Sequence, residues 1–362
     1  MVRCMGVDTM KLSEVETLVT VVIPAYNVET TLDATLNSAR NQSYQNLEII
    51  VVVDGATDGT EAIARQHAQQ DERISIVVTP NCGLCPARNT GARAGSGAFI
   101  APLDADDIWH RDKIQKQLDV FAAGGDDMGM VYTLFRRIDQ WDYLIRDGAL
   151  TCWSGDVFHA SLLYNCVGNG SSIMVRRSAF EQVGGYAMEL NRVGCEDYLL
   201  QILISHDWRV GVVPEYMTGY RYDHVSMSRN HVRMALARLK LLDIVAQRHP
   251  DVPEEIMQLA RAQARAELAI SSARAGKIAN AVSEFSAAFR INVFATMAYS
   301  FYRLRDLAYR FIRSAGANFK RSKPPRFQDM DPKTHYGVSY HPLRSRTMRR
   351  LLRQSSVSTR QC

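Results

Sequence analysis

Four short apolar runs, each closing on proline, threonine or a carboxylate, constrain this fold more than any other feature of the chain. They are LVTVVIP (18–24), LEIIVVVD (47–54), RISIVVT (73–79) and AFIAPLD (98–104). Each is too short for a buried helix and most are rich in β-branched residues, so each reads as a strand buried on both faces. Between them, apolar positions recur at helical spacing. Leu32, Leu36 and Ala39 mark a helix from Thr30 to Ala39, and Thr57 and Asp58 offer an N-cap for a helix through about Gln70. Further helices are expected over about Leu84 to Ala94 and about 110–122. Strands alternating with helices at this interval predict a parallel, doubly wound α/β sheet. Ligands of such sheets bind beyond the carboxyl ends of the strands. Asn27, Asp54, Asp104 and Asp106 stand at those ends.

Past Gly124 the alternation loosens. Strands are expected at 129–139, 171–177 and 208–214, and a helix at 195–206 with Tyr198, Leu199, Ile202 and Leu203 on one face. From His231 to about Arg310 the pattern is helical and Ala-rich, with breaks at Pro250 to Pro253, near Gly276 and near Asn292. The segment 254–292 resembles one tetratricopeptide-like helical hairpin, which must pack on the body or on a partner to bury its face. Residues 316–362 hold Ser, Arg, Lys and Pro with little periodicity and read as flexible. The expected organisation is an N-terminal extension (1–16), an α/β domain (17–230), a helical region (231–313) and a basic tail (314–362).

Composition narrows the setting. With 362 residues, 46% hydrophobic and 22% charged, the chain fits a soluble globular protein. The net charge of +5 is unevenly spread: residues 301–362 carry 15 Lys and Arg against 3 Asp and Glu. Such a tail suits an anionic partner (a membrane surface, a nucleic acid or an acidic protein), or is simply solvated. Seven cysteines, an odd number, argue against a disulfide framework. No apolar signal segment is visible in MVRCMGVDTMKLSEVE, and no run approaches the ~18 apolar residues of a membrane span. The nearest is INVFATMAYSFY (291–302), which Arg303, Arg305 and Asp306 follow. A reducing cytoplasm is the expected compartment.

The chemistry concentrates in APLDADDIW (101–109), where Asp104, Asp106 and Asp107 fall within four positions at a strand end. Like charges there repel, by up to about 4 kcal/mol at 4 Å with an effective dielectric near 20. Either the stretch is a solvated turn in which Asp107 caps the next helix, or a hard divalent ion, Mg²⁺ or Mn²⁺, sits among oxygen ligands and is completed by substrate phosphates. Glu196 and Asp197 open a helix, where the dipole alone favours them. Cys82 and Cys85 have C-x-x-C spacing without a second pair, and Gly91, Gly95 and Gly97 lack both the spacing and the Lys-Ser/Thr ending of a phosphate loop.

Read together, VVIPAYN (21–27), VVVDGATDGT (51–60), NCGLCPARNTGARAGSGAFIAPLDADDIW (81–109), GSSIMVRRSAFEQVGGY (170–186) and GCEDYLLQI (194–202) resemble the family 2 glycosyltransferases, over about residues 17–230. The resemblance implies the GT-A fold, a Rossmann-like mixed sheet flanked by helices, here followed by a C-terminal helical region. It implies that Pro24, Ala25 and Tyr26 line a nucleotide pocket, that Asp54 hydrogen-bonds the base, and that Arg88 contacts base, ribose or phosphate. The family often has a second Asp before this one, where the chain has Val53. By the same resemblance Asp104 meets the ribose, Asp106 holds the metal, Asp197 is the catalytic base of inverting members and Glu196 orients the acceptor. YRYDHVSMS (220–228) resembles a segment that closes the domain, so Arg221 is expected at the diphosphate and His224 at metal or phosphate. Trp109 floors the sugar or acceptor pocket or belongs to the core, and Gly185 belongs to a turn backing the acceptor pocket.

The implied reaction moves a sugar from a nucleotide-diphosphate donor, expected to be a UDP-sugar, to an acceptor hydroxyl on a glycan or lipid-linked chain, with inversion. A metal ion and cationic side chains absorb leaving-group charge while a carboxylate takes the hydroxyl proton. No nucleic-acid partner is expected. The basic tail and the helices near 291–313 are expected to hold the protein at the anionic inner face of the plasma membrane. Two alternatives stay open: a non-catalytic sugar-nucleotide-binding or assembly protein, and a nucleotidyltransferase, although VVIPAYN lacks the latter's Gly-rich phosphate loop.

Overall fold

The computed structural model describes residues 17–148, 151–222, 229–301, 303, 324–335 and 357–359. The four apolar runs form β1 (Val19–Ala25), β2 (Leu47–Asp54), β3 (Ile74–Thr79) and β4 (Phe99–Pro102). They pair in parallel in the order β4-β1-β2-β3. Side chains alternate across the sheet, as the period of two requires. Val19, Val21, Ile23 and Ala25 join one core with Ile49, Val51 and Val53, whereas Val22 packs into the opposite core. Both faces are covered, which is why β1 is apolar apart from Thr20, whose buried hydroxyl donates to Glu48. The helices between are α1 (Leu32–Arg40), α2 (Thr60–Gln70) and α3 (Leu84–Ala94), followed by α4 (Lys113–Gly124). Asp58 accepts from the Thr60 amide at 3.0 Å at the start of α2.

The parallel pairing of the first four strands does not continue unbroken into the second half, where the alternation of strands and helices loosens. β6 (Met128–Ile138) and β10 (Arg209–Arg221) pair in parallel, but β9 (Ile173–Arg176) lies between β4 and β6 and is antiparallel to both. The resulting mixed sheet is the arrangement the family resemblance implies. A two-residue strand, β5 (Ile108–Trp109), pairs antiparallel with β10 through Ile108↔Gly219 and Trp109↔Thr218. The DADD loop is therefore tied to the sheet at both ends, by β4 before it and β5 after it.

The remaining helices include α5 (Phe158–Leu163), α6 (Arg177–Gln182), α7 (Glu196–Asp207), α8 (His231–Arg248), α9 (Glu254–Arg274) and α10 (Ile278–Ile291). Breaks fall at Pro250–Pro253, Gly276 and Asn292, where proline, a glycine at φ 75° and an extended residue end each helix. Leu199, Ile202 and Leu203 of α7 share one core with Leu241, Leu242 and Val245 of α8 and Met257, Ala260 and Ala264 of α9. α9 of the expected hairpin thus buries one face against α5, α7 and α8. α10 packs on α9 but leaves Ile278, Val282, Phe285 and Phe289 exposed along one side.

Residues 324–335, read as part of a flexible tail, pack against the sheet. The Leu144 amide donates to Pro325 O (3.0 Å), Phe327 N to Asp142 O (2.9 Å) and Tyr216 N to Pro332 O (2.8 Å). Phe327 is buried against Ile108 and Ile138, directly behind the strand that follows the DADD loop. Its ring and the side chain of Met330, also buried, anchor this segment. Residues 357–359 (β11) pair with β8 (Trp153–Gly155).

Candidate active site

The cleft lies at the carboxyl ends of β1, β2 and β4, with the N-terminus of α7 facing them. Pro24 and Ala25 are buried in the last residues of β1, and Tyr26, next in the chain, is 49% exposed. Asn27 adopts φ 51° and accepts from the Thr57 amide at 2.8 Å, which links the ends of β1 and β2. Asp54 ends β2. Its two carboxylate oxygens accept from the amides of Cys82 and Gly83, both at 2.8 Å, and one also from Thr79 Oγ1 at 3.2 Å. The loop entering α3 is therefore built around Asp54. Cys82 and Cys85 are both free thiols, one exposed and one buried, and Asn191 accepts weakly from the Cys85 amide at 3.4 Å.

Arg88, on α3, ties the distant motifs together. It is 2% exposed and donates to Asp104 Oδ1 and, at 2.8 Å, to Glu196 Oε1. Its guanidinium lies 5.0 Å from the Tyr186 ring centroid. Burial opposes its charge, but Asp104, Tyr186 and Glu196 together hold it firmly protonated. Glu196 is thus a partner of Arg88 as well as a neighbour of the cleft. Gly170 leaves room for this arrangement, since a Cβ there would stand 3.3 Å from Arg88 Nη2 and 3.6 Å from Asp197 Cβ.

Asp197 sits in the first turn of α7, preceded by Gly194 (φ 110°) and Cys195 (φ 64°). A left-handed non-glycine residue at this point is a strained feature of the kind that collects at functional sites. Burial and the adjacent Glu196 push the Asp197 carboxyl up to about 7, against the opposing pull of Arg88. The helix dipole, which favours the anion there, is outweighed.

The three aspartates of the DADD loop have separate environments. Asp104 and Asp106 are half-buried, while Asp107 is fully buried. Asp107 does not cap α4, whose N-cap is Asp112. It accepts from Ser171 Oγ at 2.5 Å and from the Arg221 amide at 2.9 Å. Ser171 Oγ in turn accepts from the Asp104 amide at 3.0 Å. Burial, then the charges of Asp106 and Asp104, raise the Asp107 carboxyl well above the usual range. The cluster carries more negative charge than Arg88 balances, and its oxygen donors fit a hard divalent cation.

Arg221 is placed differently from the expectation of a diphosphate contact. It is 3% exposed, and its side chain donates to Asp106 O (2.6 Å), Asp139 O (2.7 Å) and Asp142 Oδ1 (2.7 Å). It fixes the DADD loop from behind. Trp109 likewise belongs to the core, 2% exposed, with its indole N–H on Ser171 O at 2.8 Å and Lys113 Nζ 4.1 Å from its ring. Gly185 (φ 71°) lies in a turn locked to α3: Asn89 accepts from the Tyr186 amide (2.9 Å) and donates to its carbonyl (2.8 Å). A Cβ at Gly185 would meet Asn89 Oδ1 at 2.7 Å. A cavity of 480 Å³ opens beside this turn, lined by Asn89, Arg93, Met188 and Arg248, and contains none of the cleft carboxylates. His224 lies outside the described residues. Sequence reasoning missed Ser171 and Gly170, whose roles depend on contacts with residues distant in the chain.

This geometry defines a nucleotide-sugar transferase fold of the GT-A type. Residues 20–184 match the model of Glycosyl transferase family 2. The chain is 41% identical over 103 residues to the putative teichuronic acid biosynthesis glycosyltransferase TuaG of Bacillus subtilis (strain 168), covering 28% of this chain and 41% of that protein. It is 29% identical over 240 residues to an uncharacterized glycosyltransferase of Haemophilus influenzae, covering 61% of this chain and 71% of that one. The chain thus spans less than half the length of TuaG. Among solved structures it resembles the mannosyltransferase PcManGT from Pyrobaculum calidifontis in complex with GDP-Man and Mn²⁺, with TM-score 0.56, 19% identity and 82% of each chain covered. Over residues 20–184 the chain thus matches a family 2 glycosyltransferase domain.

Proposed function

We propose that the protein is an inverting, metal-assisted glycosyltransferase that moves a sugar from a nucleotide-diphosphate donor, a UDP-sugar in this reading, to an acceptor hydroxyl of a growing polysaccharide. The observation that carries the proposal is the meeting of Asp104 and Glu196 on Arg88, which brings the loop of Asp106 to the start of the helix that carries Asp197, with Asp197 poised at about 7. That is the range in which a carboxylate both exists as base at neutral pH and binds a proton well. The relatives named above, one of them in teichuronic acid biosynthesis, support the polysaccharide assignment.

In this reading Pro24, Ala25, Tyr26 and Asp54 receive the nucleotide, Asp104 the ribose, and Asp106 holds Mg²⁺ or Mn²⁺. Such an ion, when bound, neutralises the charge of the departing diphosphate. Asp197 takes the proton of the acceptor hydroxyl as its oxygen bonds to C1 and the C1–O bond to the diphosphate breaks. The hydroxyl attacks opposite the leaving group, so the anomeric centre inverts. Arg88 holds Asp104 and Glu196 at fixed places on one guanidinium.

The protein acts, in the same proposal, at an anionic membrane face. No helix among the described residues is long and apolar enough to cross a membrane. Instead Ile278, Val282, Phe285 and Phe289 repeat at spacings of four, three and four along α10, all exposed, and Phe294 beyond it is 87% exposed. An apolar stripe beside a strongly basic tail suits an interface rich in anionic lipid.

The test is release of nucleoside diphosphate from a panel of UDP- and GDP-sugars with Mn²⁺, read with and without lipid-linked acceptors. Wild type should turn over one donor class, and Asp197→Asn should lose transfer by about 10²–10⁴-fold, the usual contribution of a general base. Equal turnover by Asp197→Asn would remove the base from the mechanism.

A further inference from the structure

We propose that His206, His249 and Asp251 form a second metal site, for a zinc-class transition-metal ion, which fastens the end of α7 to the junction of α8 and α9. Their ligand atoms all lie within 4.8 Å of one another. His206 Nε2 stands 3.1 Å from Asp251 Oδ2, and the two imidazole centroids are 3.9 Å apart. Two imidazoles, one carboxylate and an open position suit Zn²⁺, and imidazole donors favour Zn²⁺, Co²⁺ or Ni²⁺ over Mg²⁺ and Mn²⁺.

The surroundings are those of a built site. His206 Nδ1 lies 2.5 Å from Asp207 Oδ1, a carboxylate–histidine contact that turns Nε2 towards Asp251. Asp207 Oδ2 accepts from Gln182 Nε2 at 2.8 Å, and Gln182 Oε1 from Trp208 Nε1 at 3.0 Å. The Phe158 ring stands edge-on to His206 at 4.7 Å and fixes the imidazole from the other side. This chain of contacts orients His206 more tightly than a surface ion pair needs. The site is remote from the cleft: nine residues of α7 separate His206 from Asp197, roughly 14 Å along the axis.

The experiment uses tag-free full-length protein stripped with chelator and carrying Asp106→Asn, so that the cleft does not compete. Titration with Co²⁺ and Zn²⁺ should show one equivalent bound, four-coordinate Co²⁺ bands in the visible spectrum, and a rise in melting temperature with Zn²⁺. His206→Gln and His249→Gln should each abolish saturable uptake, and Asp207→Asn should weaken it by about 10–100-fold, as loss of an outer partner does. Asp251→Asn, at a side chain 66% exposed, supplies the same test without risk to the fold. Failure of the folded parent to take up either ion, or uptake unchanged in the two histidine variants, overturns the proposal and leaves an ion-paired helix joint.

Discussion

Replacing Arg88 by Met keeps much of its volume and removes its charge. In the native protein a 2% exposed guanidinium neutralises Asp104 and Glu196. Removing one partner of a buried ion pair typically costs about 3–5 kcal/mol, because the remaining charge is stranded. At 2–4 °C per kcal/mol for domains of 150–250 residues, the melting temperature should fall by roughly 10 °C. The loss should also depend on pH. Arg88 opposes the rise of the Asp197 carboxyl, so without it that group moves above about 7. An acid whose folded pKa is raised above its unfolded value stabilises the fold at low pH and loses that contribution as pH rises through the folded pKa. The gap between Arg88→Met and wild type should therefore widen from pH 5 to pH 8 in thermal or denaturant unfolding. A loss below about 1 kcal/mol, the range of a solvent-exposed pair, or a gap independent of pH, would refute the reasoning.

Three further outcomes follow from the same contacts. Because Asp197 acts as the anion, transfer should fall as pH drops below about 7 and level off above it, and a flat profile between pH 6 and 8 would contradict that base. Asp107→Ala strands the Ser171 hydroxyl and the Arg221 amide, so it should cost about 1–3 kcal/mol for each unsatisfied buried group and weaken metal-dependent nucleotide binding; equilibrium unfolding and binding titrations read the two effects. Phe285→Ser with Phe289→Ser should reduce sedimentation with anionic vesicles while leaving binding to the cleft intact, and unchanged sedimentation would remove α10 from the membrane contact.

The first half of the fold was legible because each strand is a continuous apolar run and each helix has a clear stop. Pro250, Pro253, Gly276 and Asn292 marked the later helix ends for the same local reason. The antiparallel β9 was not legible, since SSIMVRR carries no information on its partner. Asp104, Asp106, Glu196, Asp197 and Arg88 could be picked out by motif, but not their ion pairing. Arg221 looks like a ligand contact in isolation, and the sequence left Trp109 open between a pocket floor and the core. Only the tertiary fold turns Arg221 towards Asp106 O and Asp142, and buries Trp109 beneath Ser171. Phe327 lay in a stretch whose composition hides a single anchoring ring.

In the proposed function a cation and a diphosphate complete the carboxylate cluster. Calorimetric titration of UDP and GDP into the protein, with and without Mn²⁺, tests it most directly, repeated on Asp106→Asn. The account predicts binding of one nucleotide that requires Mn²⁺ and disappears in the variant. Binding indifferent to Mn²⁺ and to Asp106, or no binding of either nucleotide, would contradict it.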